Sequence, residues 1–179
     1  MEFPESAFWS YSSEIWSLPD VEAICLQLQN EHELNINMLL YCCWAGEQLR
    51  CLNDDDLQTL LDTIQPWQVI IQPLRDSRRT MQQSLIAMPG EMIEQTLSNI
   101  SEMELNAEHM AQLAMEKALS PQQLGDCAQR SPIECSQDNI DAYLKTLNEA
   151  LEESQIQPRI RRLLEAIHGI TAADRQNAG

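Results

Sequence analysis

The chain has 179 residues, 11 Lys and Arg against 28 Asp and Glu, and a formal net charge of −17. So acidic a surface repels phosphate backbones and anionic headgroups, which excludes bulk nucleic-acid binding and attachment to a membrane surface. An apolar fraction of 44% excludes a wholly disordered acidic chain, and at this length one domain, with or without an appendage, folds without a metal or disulfide framework.

Met1 to Ser6 lacks the basic start and apolar run of a secretory leader. The most apolar stretch, Leu34 to Ala45, contains Asn35 and Asn37 and is too short for a membrane span, which needs about 20 residues. The expected compartment is therefore the cytoplasm. Of the six cysteines, Cys42 and Cys43 are adjacent, Cys25 and Cys51 fall in helical patterns, and no CxxC occurs. The expectation is six reduced thiols serving as small core residues.

In chain order, the apolar positions recur at i, i+3, i+4. Glu5 to Trp16 forms a first helix with Phe8, Trp9, Ser12, Ile15 and Trp16 on one face. Leu18-Pro19-Asp20 breaks it, and Asp20 is placed to cap a second helix whose stripe is Val21, Ile24, Cys25 and Leu28. From Leu34 to Ala45, ten of twelve residues are apolar or aromatic, the pattern of a helix surrounded by others. Asn53 to Asp56 supplies a cap and an acidic first turn for Leu57 to Ile64. Pro66 opens a further helix, carrying Val69, Ile70, Leu74 and Met81 inward, with Pro73 ending or kinking it.

Met88-Pro89-Gly90 punctuates the chain before a long helix from Glu91 to Leu119, striped by Ile93, Leu97, Ile100, Ala107, Met110, Ala111 and Ala114. Ser120-Pro121 stops it, and 121–135 reads as loop. Ser136 begins a helix to about Ser154 with Ile140, Tyr143, Leu144, Leu147 and Leu151 on one face. Pro158 starts a last helix through His168, and the tail from Thr171 is expected to fray. The sum is an all-α bundle of six to eight helices around a buried central helix, Ile36 to Trp44. Residues 1–119 form its core, 120–170 a C-terminal helical extension packing on the core or on a partner, and 171–179 a disordered tail.

Phe8-Trp9, then Cys25-Leu26-Gln27-Leu28-Gln29, then Asn35-Ile36-Asn37-Met38-Leu39-Leu40-Tyr41-Cys42-Cys43-Trp44, then Trp67 with Pro73-Leu74-Arg75-Asp76-Ser77-Arg78 occur in that order. The series resembles an uncharacterised, mainly gammaproteobacterial family, a domain of unknown function with FW, CLxLQ, NxNxLLxxxW and PLRxxR motifs. The resemblance covers roughly residues 7–115 and implies a bacterial, intracellular protein but no reaction. Thr80, Met81 and Gln82 stand where the family often carries a basic residue.

Arg75, Arg78 and Arg79 sit at i, i+3, i+4, so their guanidiniums share one helical face. They suit capture of a carboxylate or phosphate, from a partner or a ligand. They equally suit internal pairing with acids between Glu91 and Glu116, which the acid surplus favours. Asn35 is placed to cap the apolar helix, and Asn37, if buried, must find partners and would lock a neighbouring element. No metal site is expected. Asp54-Asp55-Asp56 lacks the acid at 58 that a DDxxD motif needs, since that residue is Gln58, and Glu165 to His168 is a single copy of a Glu-x-x-His unit used in pairs. No GxSxG, HExxH or phosphate loop points to catalysis.

Six of the eight methionines fall between Met81 and Met115, and Met92, Met103 and Met115 lie off the stripe of the long helix. Adaptable thioethers there suit a second contact surface. The expected function is a non-enzymatic interaction or regulatory protein without a cofactor, binding a protein partner, or a second copy of itself, through a groove edged by Met and Arg. The alternative is a small-molecule enzyme or binder that holds an anionic group in a pocket between helices.

Overall fold

A computed structural model describes residues 3–83, 90–127, 129–147 and 153–177. These form seven helices: α1 (Ala7–Trp16), α2 (Val21–His32), α3 (Ile36–Glu47), α4 (Asp54–Gln83), α5 (Gly90–Ala118), α6 (Pro132–Thr146) and α7 (Glu153–Asn177). The only strands among the described residues are a two-residue antiparallel ribbon, Arg50–Cys51 against Gly125–Asp126. The fold is all-α.

The centre is α3. Every residue from Ile36 to Gly46 is buried, because a helix apolar on all sides hides only when neighbours cover every face. α1 lays Phe8 against Tyr41 and Trp44. α6 runs antiparallel along α3, with Asn139 meeting Cys42 and Ser136 meeting Cys43 and Gly46. Gly46 has a specific reason to be glycine: a Cβ there would stand 2.5 Å from the Ser136 backbone nitrogen and 2.6 Å from its Cα. α7 closes over α2, tied by Arg159 to Glu31 at 2.5 Å. One hydrophobic cluster contains residues from α1 through α7, so α6 and α7 share the core of the preceding helices.

α4 departs from the sequence reading. It is one helix of 30 residues, about 45 Å long, with Pro66 and Pro73 inside it. Each proline strips the amide bond from the carbonyl four residues earlier, Asp62 and Val69. Both residues are exposed, which leaves the freed oxygens open to solvent where the helix continues. Val69 and Ile70, expected to face inward, are 67% and 51% exposed.

α6 begins at Pro132 rather than Ser136, with a reciprocal Ser131–Glu134 capping box and proline in the first turn. Pro158 lies inside α7 instead of opening it, and α7 stays helical to Asn177, past the expected fraying point at Thr171. The Met88-Pro89 break, Leu151 and the last two residues of the tail lie outside the described residues.

The cysteines need correction. Cys51 and Cys127 form a disulfide beside the short ribbon, and only Cys25, Cys42, Cys43 and Cys135 are free. Helical spacing around Cys51 concealed a turn that carries it onto the ribbon, next to a residue 76 positions away. The free thiols are buried as expected, and burial pushes Cys25 up to about 12.

Candidate functional site

Along α4, Leu61, Gln65, Gln68, Gln72, Arg75 and Arg79 recur at alternate steps of four and three, which aligns them as one stripe. This stripe walls a cleft of about 670 Å³. The opposite wall is the end of α2 (Gln29, Asn30) and the loop into α3 (Glu33, Leu34, Asn35), continued by Ile36 and Asn37. Tyr143 and Leu147 of α6 and Glu108 of α5 complete it.

The inner end is a closed polar network. Arg75, 6% exposed, donates from Nε to Glu104 at 3.4 Å, from one terminal nitrogen to Glu108 at 2.8 Å and from the other to Gln72 at 3.3 Å. With its amide oxygen turned inward, Gln29 accepts from both terminal nitrogens at 3.1 and 3.2 Å. All five guanidinium donors then have a partner. Arg78 clasps Glu104 side-on, at 2.7 and 3.1 Å. Asn37 donates to Glu108 and accepts from Gln112 at 2.8 Å.

The two acids respond oppositely. Burial works to raise Glu104, but the Arg78 hydrogen bonds and the charges of Arg78 and Arg75 outweigh it and hold its carboxyl below the usual range. Glu108 is pushed up by burial, against the Asn37 hydrogen bond and the Arg75 charge, with Glu104 adding repulsion.

Of the sequence-selected residues, four gather here. Arg75 and Asn37 form the network, Arg79 lies near the mouth and donates to Asn30, and Asn35 caps α3 by accepting from Met38 N–H at 3.3 Å. Arg78 belongs to the ion-pair set but not to the cleft wall. Arg75 and Arg78 thus meet acids of α5, the internal pairing that the acid surplus favoured. The methionines do not edge this cleft: Met115 is buried, while Met92, Met103 and Met110 stand exposed elsewhere on α5. Gln29, Gln65, Gln68, Gln72 and Tyr143 were missed, although the four-three spacing of polar residues between 61 and 79 was legible.

A second constellation lies apart from the cleft. Ser136 Oγ is 3.2 Å from His168 Nε2, and His168 Nδ1 is 3.2 Å from Glu47. The order matches a serine–histidine–carboxylate relay. Ser136, however, is fully buried against the Gly46 backbone and contacts the Cys43 carbonyl at 3.4 Å. A nucleophile must reach substrate, and here the relay joins α3, α6 and α7 within packed structure. His168 of the Glu-x-x-His unit is thereby accounted for, and no group of three metal-ligating side chains occurs among the described residues.

A family described as a protein of unknown function (DUF2390) matches residues 7–115, well over half of the chain. The chain belongs to DUF2390. No curated protein and no solved structure matches it. The DUF2390 region contributes most of the cleft, and the stretches around Gln29, Asn35–Asn37 and Arg75, far apart in sequence, converge there. Tyr143 and Leu147 come from beyond it. No described helix is long and apolar enough to cross a membrane.

Proposed function

We propose that this DUF2390 chain is a non-enzymatic binding protein of the cytoplasm that recognises another polypeptide at the α4 cleft. The observation that carries the reading is the lining. Seven amide side chains, Gln29, Asn30, Asn35, Asn37, Gln65, Gln68 and Gln72, share it with apolar Leu34, Ile36, Leu61 and Ile64, and of the seven the side chains of Gln65 and Gln68 have no hydrogen-bond partner among the described residues. Amides both donate and accept, as peptide groups do, so such a wall complements main chain flanked by apolar side chains. Arg75 spends its donors on Glu104, Glu108, Gln72 and Gln29, which weighs against the anion-holding pocket, since a ligand anion would have to displace a buried carboxylate. The Cys51–Cys127 bond is the feature least at home in a reducing compartment.

The test is photo-crosslinking in native cells with benzoylphenylalanine at exposed position 65, and at exposed position 98 on α5 as control. Binding at the cleft yields a discrete, protease-sensitive adduct from 65 and not from 98. Equal adducts from both positions, or none from 65, would overturn the reading.

A further inference from the structure

The cleft's proportions, together with the reading just proposed, narrow the partner. Arg75 and Arg79 are tied across the cleft to Gln29 and Asn30, so the open part of the stripe runs from Leu61 to Gln72, about 17 Å of helix at 1.5 Å per residue. About five residues of an extended chain, at about 3.3 Å each, span that length.

The chemistry agrees with an extended occupant. The side chains of Gln65 and Gln68 have no hydrogen-bond partner among the described residues, in contrast to Gln72 on the same wall and Gln29 and Asn37 on the facing one. Two amides free to turn at successive positions of one stripe suit the N–H and C=O groups that an extended backbone leaves unpaired. A helix satisfies those groups internally and would gain nothing from them. Charge sets the composition. Arg75 and Arg78 are cancelled by Glu104 and Glu108, Glu33 and Asp62 face the cleft against Arg79, and the whole chain carries −17. A cationic segment is drawn toward such a surface.

We infer that the cleft binds a basic segment of about five residues in extended conformation, held through its main chain by Gln65 and Gln68. The inference rests on the cleft being a polypeptide site. Its test is selection against the full chain from two displayed libraries, one of linear twelve-residue peptides and one randomised on the outer face of a stable helical hairpin. The expected result is enrichment of basic linear peptides. Their dissociation constant should rise about tenfold for the Gln65→Ala, Gln68→Ala double variant, whose thermal unfolding should match that of the parent, and comparably on N-methylation of two or more central peptide nitrogens. Affinity should also fall with added salt.

Enrichment only from the helical library, with benzoylphenylalanine at 65 capturing those binders, would overturn the extended occupant while leaving a polypeptide site at the cleft. Linear binders indifferent to both the double variant and N-methylation would overturn the main-chain mode. Enrichment from neither library would overturn this inference and the proposed function together.

Discussion

The α3–α6 and α4–α5 contacts are both antiparallel helix pairs, held by different physics. Along α3–α6, small residues bring backbones together: Gly46 seats Ser136, the buried Cys42 thiol donates to the Asn139 carbonyl, and the buried Asn139 amide spends itself on the Cys42 and Arg50 carbonyls and the Leu52 N–H. Along α4–α5, the contact is closed by charge: Arg75 and Arg78 against Glu104 and Glu108, with Leu74 and Ile71 beside them. The first seam excludes everything else. The second leaves amides and a cleft at its side, because a wall built from long polar side chains cannot close as tightly as one built from Gly, Ser and Cys.

Breaking each seam separately sharpens the contrast. Arg75→Ala should cost most, about 3 kcal/mol in a urea titration, because it leaves Glu108 half-buried without its cation and Glu104 with Arg78 alone. Gly46→Ala should cost about 2 kcal/mol, since the new methyl meets Ser136 backbone atoms and the helices must part.

The smallest effect is one of pH. Glu104 titrates below the ordinary carboxylate range when folded, so its stabilisation is complete above its unfolded value and is lost as pH falls through the folded value. Glu108 titrates above that range, so its charged form is a penalty near neutrality that acid removes. Urea midpoints between pH 7 and pH 3 should show Glu104→Gln flattening the acid-side loss. A Gly46→Ala profile that also flattened would erase the distinction between the seams.

The sequence showed some of this clearly and some not at all. The burial of α3 followed from ten apolar residues in twelve, and the Asn35 cap from its place before them, because both depend on residues within a turn or two. The Ser131-Pro132-Ile133-Glu134 capping box was equally local and was overlooked, which moved the start of α6 by four residues. Pro66 and Pro73 misled for a different reason. Whether proline ends a helix depends on whether its orphaned carbonyl meets water, and exposure of Asp62 and Val69 is a tertiary fact. The methionines misled likewise: Met115 and Met110 exchange the buried and exposed roles that a single ideal stripe assigned them. In the cleft, Arg75 and Asn37 were visible as polar residues in apolar settings, whereas Gln29, Gln65 and Gln68 look like ordinary surface residues until α2 and α4 stand opposite one another.

What the sequence determined by itself was the helical class, the buried central helix and the acidic exterior, since periodicity, apolar density and net charge are properties of short windows or of the whole composition. Tertiary structure alone decided that Cys51 meets Cys127, that Arg75 is claimed by Glu104 and Glu108, and that the ends of α2, α3 and α6 leave a cleft beside α4. Those outcomes depend on distances between segments tens of residues apart, fixed by the packing of whole helices and by no local preference.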